Sequence, residues 1–214
     1  MNKPVEKTGE QQVEGLTNQN KRTISVYCGS GSGNNEIFLR QARELGRLIA
    51  RDNIKVVYGG ASIGLMGEIA NSVLHYGGEV IGVIPQKIVD LEIAHPHLTD
   101  LKIVNGMHER KAMMAELGDA FIALPGGFGT LDEIFEMLTW SQLGLHQKPC
   151  GLLSTNGYFD DILSFFKNAQ ENGFIRDEHR ELLTVRDTPE QLLQAIQERW
   201  MQHPGKEVNP FPKL

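Results

Sequence analysis

"DAFIALPGGFGTLDEIFEMLTW", residues 119–140, runs from an apolar strand through a glycine turn into a helix. Ala120 to Pro125 is a short apolar run of the kind that sits in a sheet covered on both faces. Gly126, Gly127 and Gly129, with Thr130, form a turn in which bare backbone can approach another group closely. From Leu131 the apolar residues recur at Ile134/Phe135 and Leu138, which is helical spacing. Asp132 and Glu133 then fall side by side in what should be the first helical turn. Strand, tight turn and helix in immediate succession make up half of a βαβ unit.

The same unit recurs along the chain. Residues 23–28, 54–58, 79–85, 101–104 and 149–154 are further short apolar, β-branched-rich runs. Helical patterns lie between most of them, such as Phe38, Ala42, Leu45 and Ile49 along one face, and a helix from Tyr158 to Asn172 stopped by Gly173. Thr188 and Pro189 open a last helix with a cap and a first-turn proline. The alternation predicts an α/β fold: a doubly wound, Rossmann-like parallel sheet with helices on both faces. A single domain is expected over 22–203, with a disordered tail at 1–21 and a loose, proline-rich one at 204–214.

Bulk properties exclude several function classes. A net charge of −6 with no concentrated run of Lys and Arg argues against a nucleic acid polymer as partner. The polar N-terminus lacks the apolar core of a signal peptide, and no apolar run approaches the ~20 residues that span a bilayer. No membrane partner is therefore expected. Cys28 and Cys150 do not form a C-x-x-C pair and each sits in an apolar segment, which predicts buried free thiols and a cytoplasmic location.

Ligands of such sheets bind beyond the carboxyl ends of the strands, where the strand order reverses. Three strands here exit into glycine: "CGSGSGNN" at 28–35, "YGGASIGLMG" at 58–67 and "LPGGFGT" at 124–130. Helix N-termini that follow directly offer N–H groups and partial positive charge to a phosphate. The common codes do not fit. Gly59 and Gly64 have P-loop spacing, but Leu65 and Met66 stand where Lys and Ser/Thr belong. The second strand ends without the acid that would hold an NAD ribose. The fourth strand leads into "NGMHERK" at 105–111, where Arg110 and Lys111 oppose the helix dipole unless an anion sits there. The edge thus gathers cationic groups at 110–111 and acids at 132–133 around glycine turns.

"PGGFGTLDE" is similar to the P-G-G-x-G-T-x-x-E motif of the LONELY GUY (LOG) family, the cytokinin riboside 5′-monophosphate phosphoribohydrolases, which carry an older label of putative lysine decarboxylase. "YGGASIGLMG", "VIGVIP", "MHERKAMM" and "GYFDDILSFF" resemble that family in the same order, so the resemblance spans roughly residues 23–185. It implies Arg110 and Glu133 as the catalytic pair. It implies substrate-binding positions at Glu92, Lys111, Gly126, Gly127, Gly129, Thr130, Asp132 and Thr139. It also implies a nucleoside 5′-monophosphate substrate, no metal or organic cofactor, and a homodimer or higher homo-oligomer.

The residues suit that chemistry. Cleaving an N-glycosidic bond passes through an oxocarbenium-like transition state, which a carboxylate such as Glu133 stabilises while orienting or deprotonating water. Asp132 would hold ribose hydroxyls, and the glycine turn and Thr130 would cradle the 5′-phosphate. Arg110 would either hold the nucleotide in reacting geometry or stabilise the leaving base. Two alternatives stand beside the hydrolase. One is a nucleotide-binding module without activity. The other is a pyridoxal-phosphate decarboxylase, for which Lys111 would have to carry the Schiff base. The helices from Met107 and from Leu131 carry apolar residues on more than one face, which predicts a twofold dimer with Met113 and Met137 at its interface.

Overall fold

The computed structural model describes residues 21–89 and 94–202. Glu92 lies outside the described residues, as do the two tails apart from Lys21, whose ammonium is 2.7 Å from Glu79.

Among the described residues, seven parallel strands form one sheet: β1 (Thr23–Tyr27), β2 (Lys55–Tyr58), β3 (Val80–Pro85), β4 (Asp100–Val104), β5 (Ala120–Ala123), β6 (Cys150–Leu153) and β7 (Leu183–Arg186). The helices are α1 (Glu36–Arg51), α2 (Gly64–His75), α3 (Gln86–Val89), α4 (Met107–Leu117), α5 (Phe128–Gln142), α6 (Asp160–Glu171), α7 (Asp177–Arg180) and α8 (Pro189–Gln202). The sheet order is β4-β3-β2-β1-β5-β6-β7, so the winding reverses between β1 and β5. The expected doubly wound sheet is present. Its seventh strand, "LTVR", is the addition: four residues at an edge, too short and too half-exposed to stand out as a pattern.

Alternate residues of each strand feed opposite faces, as strand geometry requires. Ile24, Val26, Val56, Tyr58 and Ile122 pack under α1, α2 and α8. Tyr27, Val57, Phe121 and Ala123 pack under α4 and α5, with Leu163 and Phe166 of α6 at the margin. Side chains such as Leu45, Ile69 and Ile134 are wholly buried, each worth about 2 kcal/mol. Met137 belongs to this core at 1% exposure, which corrects its expected place at a dimer interface. Among the described residues, no helix is long and apolar enough to cross a membrane.

Candidate active site

Three glycine-bearing exits, from β2, β1 and β5, lie on adjacent strands at the reversal. They do different jobs. The β1 and β5 exits are tied together by Gly29 N–H donating to Pro125 O at 3.0 Å. A Cβ on Gly126 would stand 2.8 Å from Gly29 N and 2.1 Å from Thr130 Oγ1, so this glycine is required by close packing. A Cβ on Gly127 or Gly129 would meet nothing within 4 Å among the described residues. A Cβ on Gly59, at the β2 exit, would stand 2.0 Å from Arg110 Nη2 and 2.3 Å from Met66 Cε. Gly59 is thus the seat of a guanidinium.

Helix α5 starts at Phe128, with Gly127 as its N-cap and no side-chain cap. The start precedes the expected Leu131 because Gly129 and Thr130 are already helical. Asp132 and Glu133 therefore sit in the second turn, where the helix dipole gives little reason for an acid. The N–H groups of the first turn stand outside the helical ladder. The N-terminus of α1, by contrast, is closed by Asn35, whose Oδ1 accepts from Ile37 N–H at 3.0 Å. The starts of α2, α4 and α5 at this edge have no side-chain cap.

Helix α4 begins after Gly106, and Glu109 reaches back to accept from the backbone N–H (2.8 Å) and side-chain amide (3.0 Å) of Asn105. That anchor leaves Arg110 on the inner face. Its side chain is 8% exposed, that of Glu133 on α5 is 10%, and Arg110 Nη2 lies 3.8 Å from Glu133 Oε1. The separation is too long for a hydrogen bond. Arg110 Nη1 faces Met107 Sδ at 3.8 Å, and Arg110 Nε finds no hydrogen-bond partner among the described residues. A buried guanidinium with a donor left over in this way can still engage a ligand. Below the pair, burial pushes the Tyr27 phenol and the Cys28 thiol well above their ordinary values, and Glu133 adds to both shifts. The floor of the site therefore stays uncharged.

Lys111 points the other way, bridging α4 to α5 through Asp132 (3.2 Å) and Glu136 (3.2 Å). Burial works to lower its pKa, but the bonds to Asp132 and Glu136 outweigh that and raise it above the ordinary value. The Thr130 side chain is buried against Gly126, leaving its backbone as the part that can face a ligand. Thr139 is exposed, and its hydroxyl donates to Phe135 O of its own helix at 2.7 Å. It lies six residues, or ~9 Å along the helix axis, beyond Glu133. There it borders an apolar groove formed by Phe135, Leu138, Phe166, His179 and Leu182. Of the predicted set, the structure brings together Arg110, Glu133, Gly126, Gly127, Gly129 and the Thr130 backbone. Lys111 and Asp132 form an ion pair beside them, and Thr139 stands apart. Sequence reasoning missed Gly59 as the seat of Arg110. It also missed Tyr158, whose hydroxyl donates to Gly126 O at 2.7 Å.

A protein-family model described as Possible lysine decarboxylase matches residues 66–196. A protein of Rhodococcoides fascians named cytokinin riboside 5′-monophosphate phosphoribohydrolase is 49% identical over 176 residues, 82% of this chain and 89% of that protein. One of Oryza sativa subsp. japonica, named as a probable enzyme of that activity, is 46% identical over 182 residues, covering 85% of this chain and 75% of its own. An Arabidopsis thaliana protein of the same activity name is 44% identical, with 85% of each chain covered. Among solved structures, a molybdenum cofactor binding protein from Rippkaea orientalis superposes with a TM-score of 0.65 at 23% identity, over 84% of this chain and 98% of that one. That likeness is one of fold.

Proposed function

The chain belongs to the LOG family, whose model bears the description Possible lysine decarboxylase, and from that membership we propose that it hydrolyses the N-glycosidic bond of a purine riboside 5′-monophosphate. Water adds at C1′, the base departs, and ribose 5-phosphate is released. The observation that carries this reading is the buried Arg110–Glu133 pair beside the uncapped start of α5.

Each part has one job. The N–H groups around Gly127 and Gly129 take the 5′-phosphate, which the helix dipole favours by up to ~1 kcal/mol. Glu133 faces the positive charge that develops at C1′ and O4′, and orients or deprotonates the attacking water. Arg110, with donors to spare, holds the nucleotide or the leaving base by its planar fork. Asp132 lies at the exposed rim, where ribose hydroxyls would compete with Lys111 for it. Glu92 completes the reading as a substrate-binding position, on resemblance alone.

The structure disfavours the decarboxylase alternative through Lys111. A Schiff-base lysine must lose its proton, and a lysine held by Asp132 and Glu136 keeps it. The relatives' names favour cytokinin-type nucleotides, and plain AMP shares the ribose and phosphate that the site addresses. Since Thr139 is remote from Glu133 within one chain, it would reach substrate only from a second copy, which gives the proposed homodimer a role at the site. Buried unpaired Cys28 and Cys150 suit action in the reducing cytoplasm. The test is a panel of nucleoside 5′-monophosphates, including AMP and N6-isopentenyl-AMP, assayed for free base. Release of base from none of them would overturn the reading.

A further inference from the structure

The β5 exit contains two consecutive glycines, and a Gly–Gly peptide can rotate between two orientations at little cost. Each orientation presents a different group to the ligand: a carbonyl, which repels phosphate, or an N–H, which binds it. In a trans peptide the C=O of one residue and the N–H of the next point in opposite directions. Fixing one carbonyl therefore fixes the following N–H.

Both carbonyls of this exit are fixed from behind. Pro125 O accepts from Gly29 N–H at 3.0 Å, which turns the Gly126 N–H away from the β1 loop. Gly126 O accepts from the Tyr158 hydroxyl at 2.7 Å, which turns the Gly127 N–H to the side opposite Tyr158. The Tyr158 ring is itself held. It meets Phe38 of α1 edge-on, with centroids 5.6 Å apart, and Phe159 at 5.0 Å. Phe159 is 1% exposed, and its N–H donates to Ser154 Oγ. The turn that delivers Tyr158 passes through Asn156 (φ 54°) and Gly157 (φ 71°), two successive left-handed residues that leave the backbone few alternatives. The exits from β5 and β6 thus meet at one phenol, with Phe38 of α1 packed on its ring.

We infer that Tyr158 is a positioning residue: its hydroxyl locks the Gly126–Gly127 peptide so that the Gly127 N–H is presented to the substrate's phosphate. This rests on the phosphate placement proposed above. The residue touches no reacting atom. Its effect is confined to the phosphate half of the ligand.

The experiment compares wild-type protein with Tyr158→Phe, which keeps the ring and its packing and removes the one donor. Affinities for inorganic phosphate, ribose 5-phosphate and adenosine are measured by calorimetry, with KM and kcat for AMP and the thermal midpoint alongside. The expected result is about fivefold to tenfold weaker binding of phosphate and ribose 5-phosphate, the size of one lost hydrogen bond to a pre-set donor. KM for AMP rises to match, kcat changes less than twofold, and adenosine affinity and the midpoint stay at wild-type values. Unchanged phosphate affinity in the variant overturns the inference. So does equal weakening of adenosine and phosphate, or a fall in midpoint that tracks the loss, since either marks a general structural role. If wild-type protein binds phosphate but cleaves no nucleotide, the phosphoribohydrolase reading fails, while the phosphate comparison still decides the role of Tyr158.

Discussion

Arg110 lies over Gly59 with its Nη2 3.8 Å from Glu133 Oε1, so the two ionisable groups at the centre of the site form a buried ion pair at a separation longer than a hydrogen bond. Glu133→Gln preserves size and hydrogen-bonding reach and removes only the charge. Turnover should fall at least ~100-fold with nucleotide affinity nearly intact, because positive charge on the sugar exists only in the transition state. Single-turnover kinetics with AMP, set beside calorimetric binding, read the two effects apart. Equal losses in both would reduce Glu133 to a positioning group.

Arg110→Lys should be nearly as damaging as Arg110→Ala. The guanidinium is used for its fork, and Nε is a donor that an ammonium cannot replace at that place. Gly59→Ala should approach the same loss with Arg110 still present, since a methyl there would stand 2.0 Å from Nη2 and displace it. Steady-state assays of the three variants check the ranking. Near-normal activity in either the lysine or the alanine variant would show that the seat and the fork are not needed.

The two glycines of the β5 turn should separate stability from binding. Gly126→Ala meets Thr130 Oγ1 at 2.1 Å and Gly29 N at 2.8 Å, so it should lower the thermal midpoint by several degrees. Gly127→Ala meets nothing within 4 Å and has φ −93°, so the free protein should tolerate it. Its methyl would occupy the space in front of the N–H groups, and phosphate affinity should drop at least ~10-fold. An unstable Gly127→Ala protein, or one that binds phosphate normally, would contradict the assignment of that open face.

Acid should destabilise the fold through His146, away from the site. The ring is 3% exposed, packs on Phe121, and accepts the Lys148 N–H at Nδ1, 3.1 Å away. Burial, with the Lys148 charge adding to it, lowers its pKa from 6.5 to about 4, while the Met137 backbone works the other way. The unfolded chain therefore takes up a proton near pH 6.5 that the folded chain refuses until about pH 4. The stabilisation is complete above pH 6.5 and is lost as pH falls through that window, costing on the order of 2 kcal/mol by pH 5. Denaturant titrations at pH 7 and pH 5 should show this loss in wild type and a smaller one in His146→Asn, whose amide oxygen can still accept from Lys148. An identical loss in the two proteins would place the acid sensitivity elsewhere.

The strand alternation and the gathering of charge at one sheet edge were legible because each depends on local pattern: β-branched runs, glycine at strand exits, charge where a helix dipole disfavours it. The singling out of Arg110 and Glu133 came from the family resemblance. Side-chain direction was not legible. Lys111 and Asp132 entered as substrate-binding positions through the family resemblance, and their ion pair with each other is the part that sequence alone did not show. Gly59 looked like part of a phosphate turn because glycine permits both close approach of a ligand and close approach of a side chain. Only the position of Arg110, 51 residues later, tells which one occurs. Met137 looked available to a partner because its helix is apolar on more than one face, and the sheet claims that face first.

Assembly should still matter to activity, though through different residues than the methionine at 137. Charge there would break the core. Leu143, at the end of α5, is 66% exposed, and Met107 at the start of α4 is 41% exposed, while Phe135 and Leu138 are half-buried along the groove that Thr139 borders. A partner that covers this stretch removes apolar area from water, which is the usual reason for a closed twofold pair. The protein should be a dimer at micromolar concentration by light scattering. Leu143→Glu should weaken association and base release together. If Thr139 acts across the interface, Glu133→Gln and a Thr139→Asp variant, each nearly inactive alone, should recover activity when mixed and allowed to exchange subunits. The mixed dimer then contains one site with both groups intact. A fully active monomer, or no recovery on mixing of exchanging subunits, would return Thr139 to the surface of its own chain.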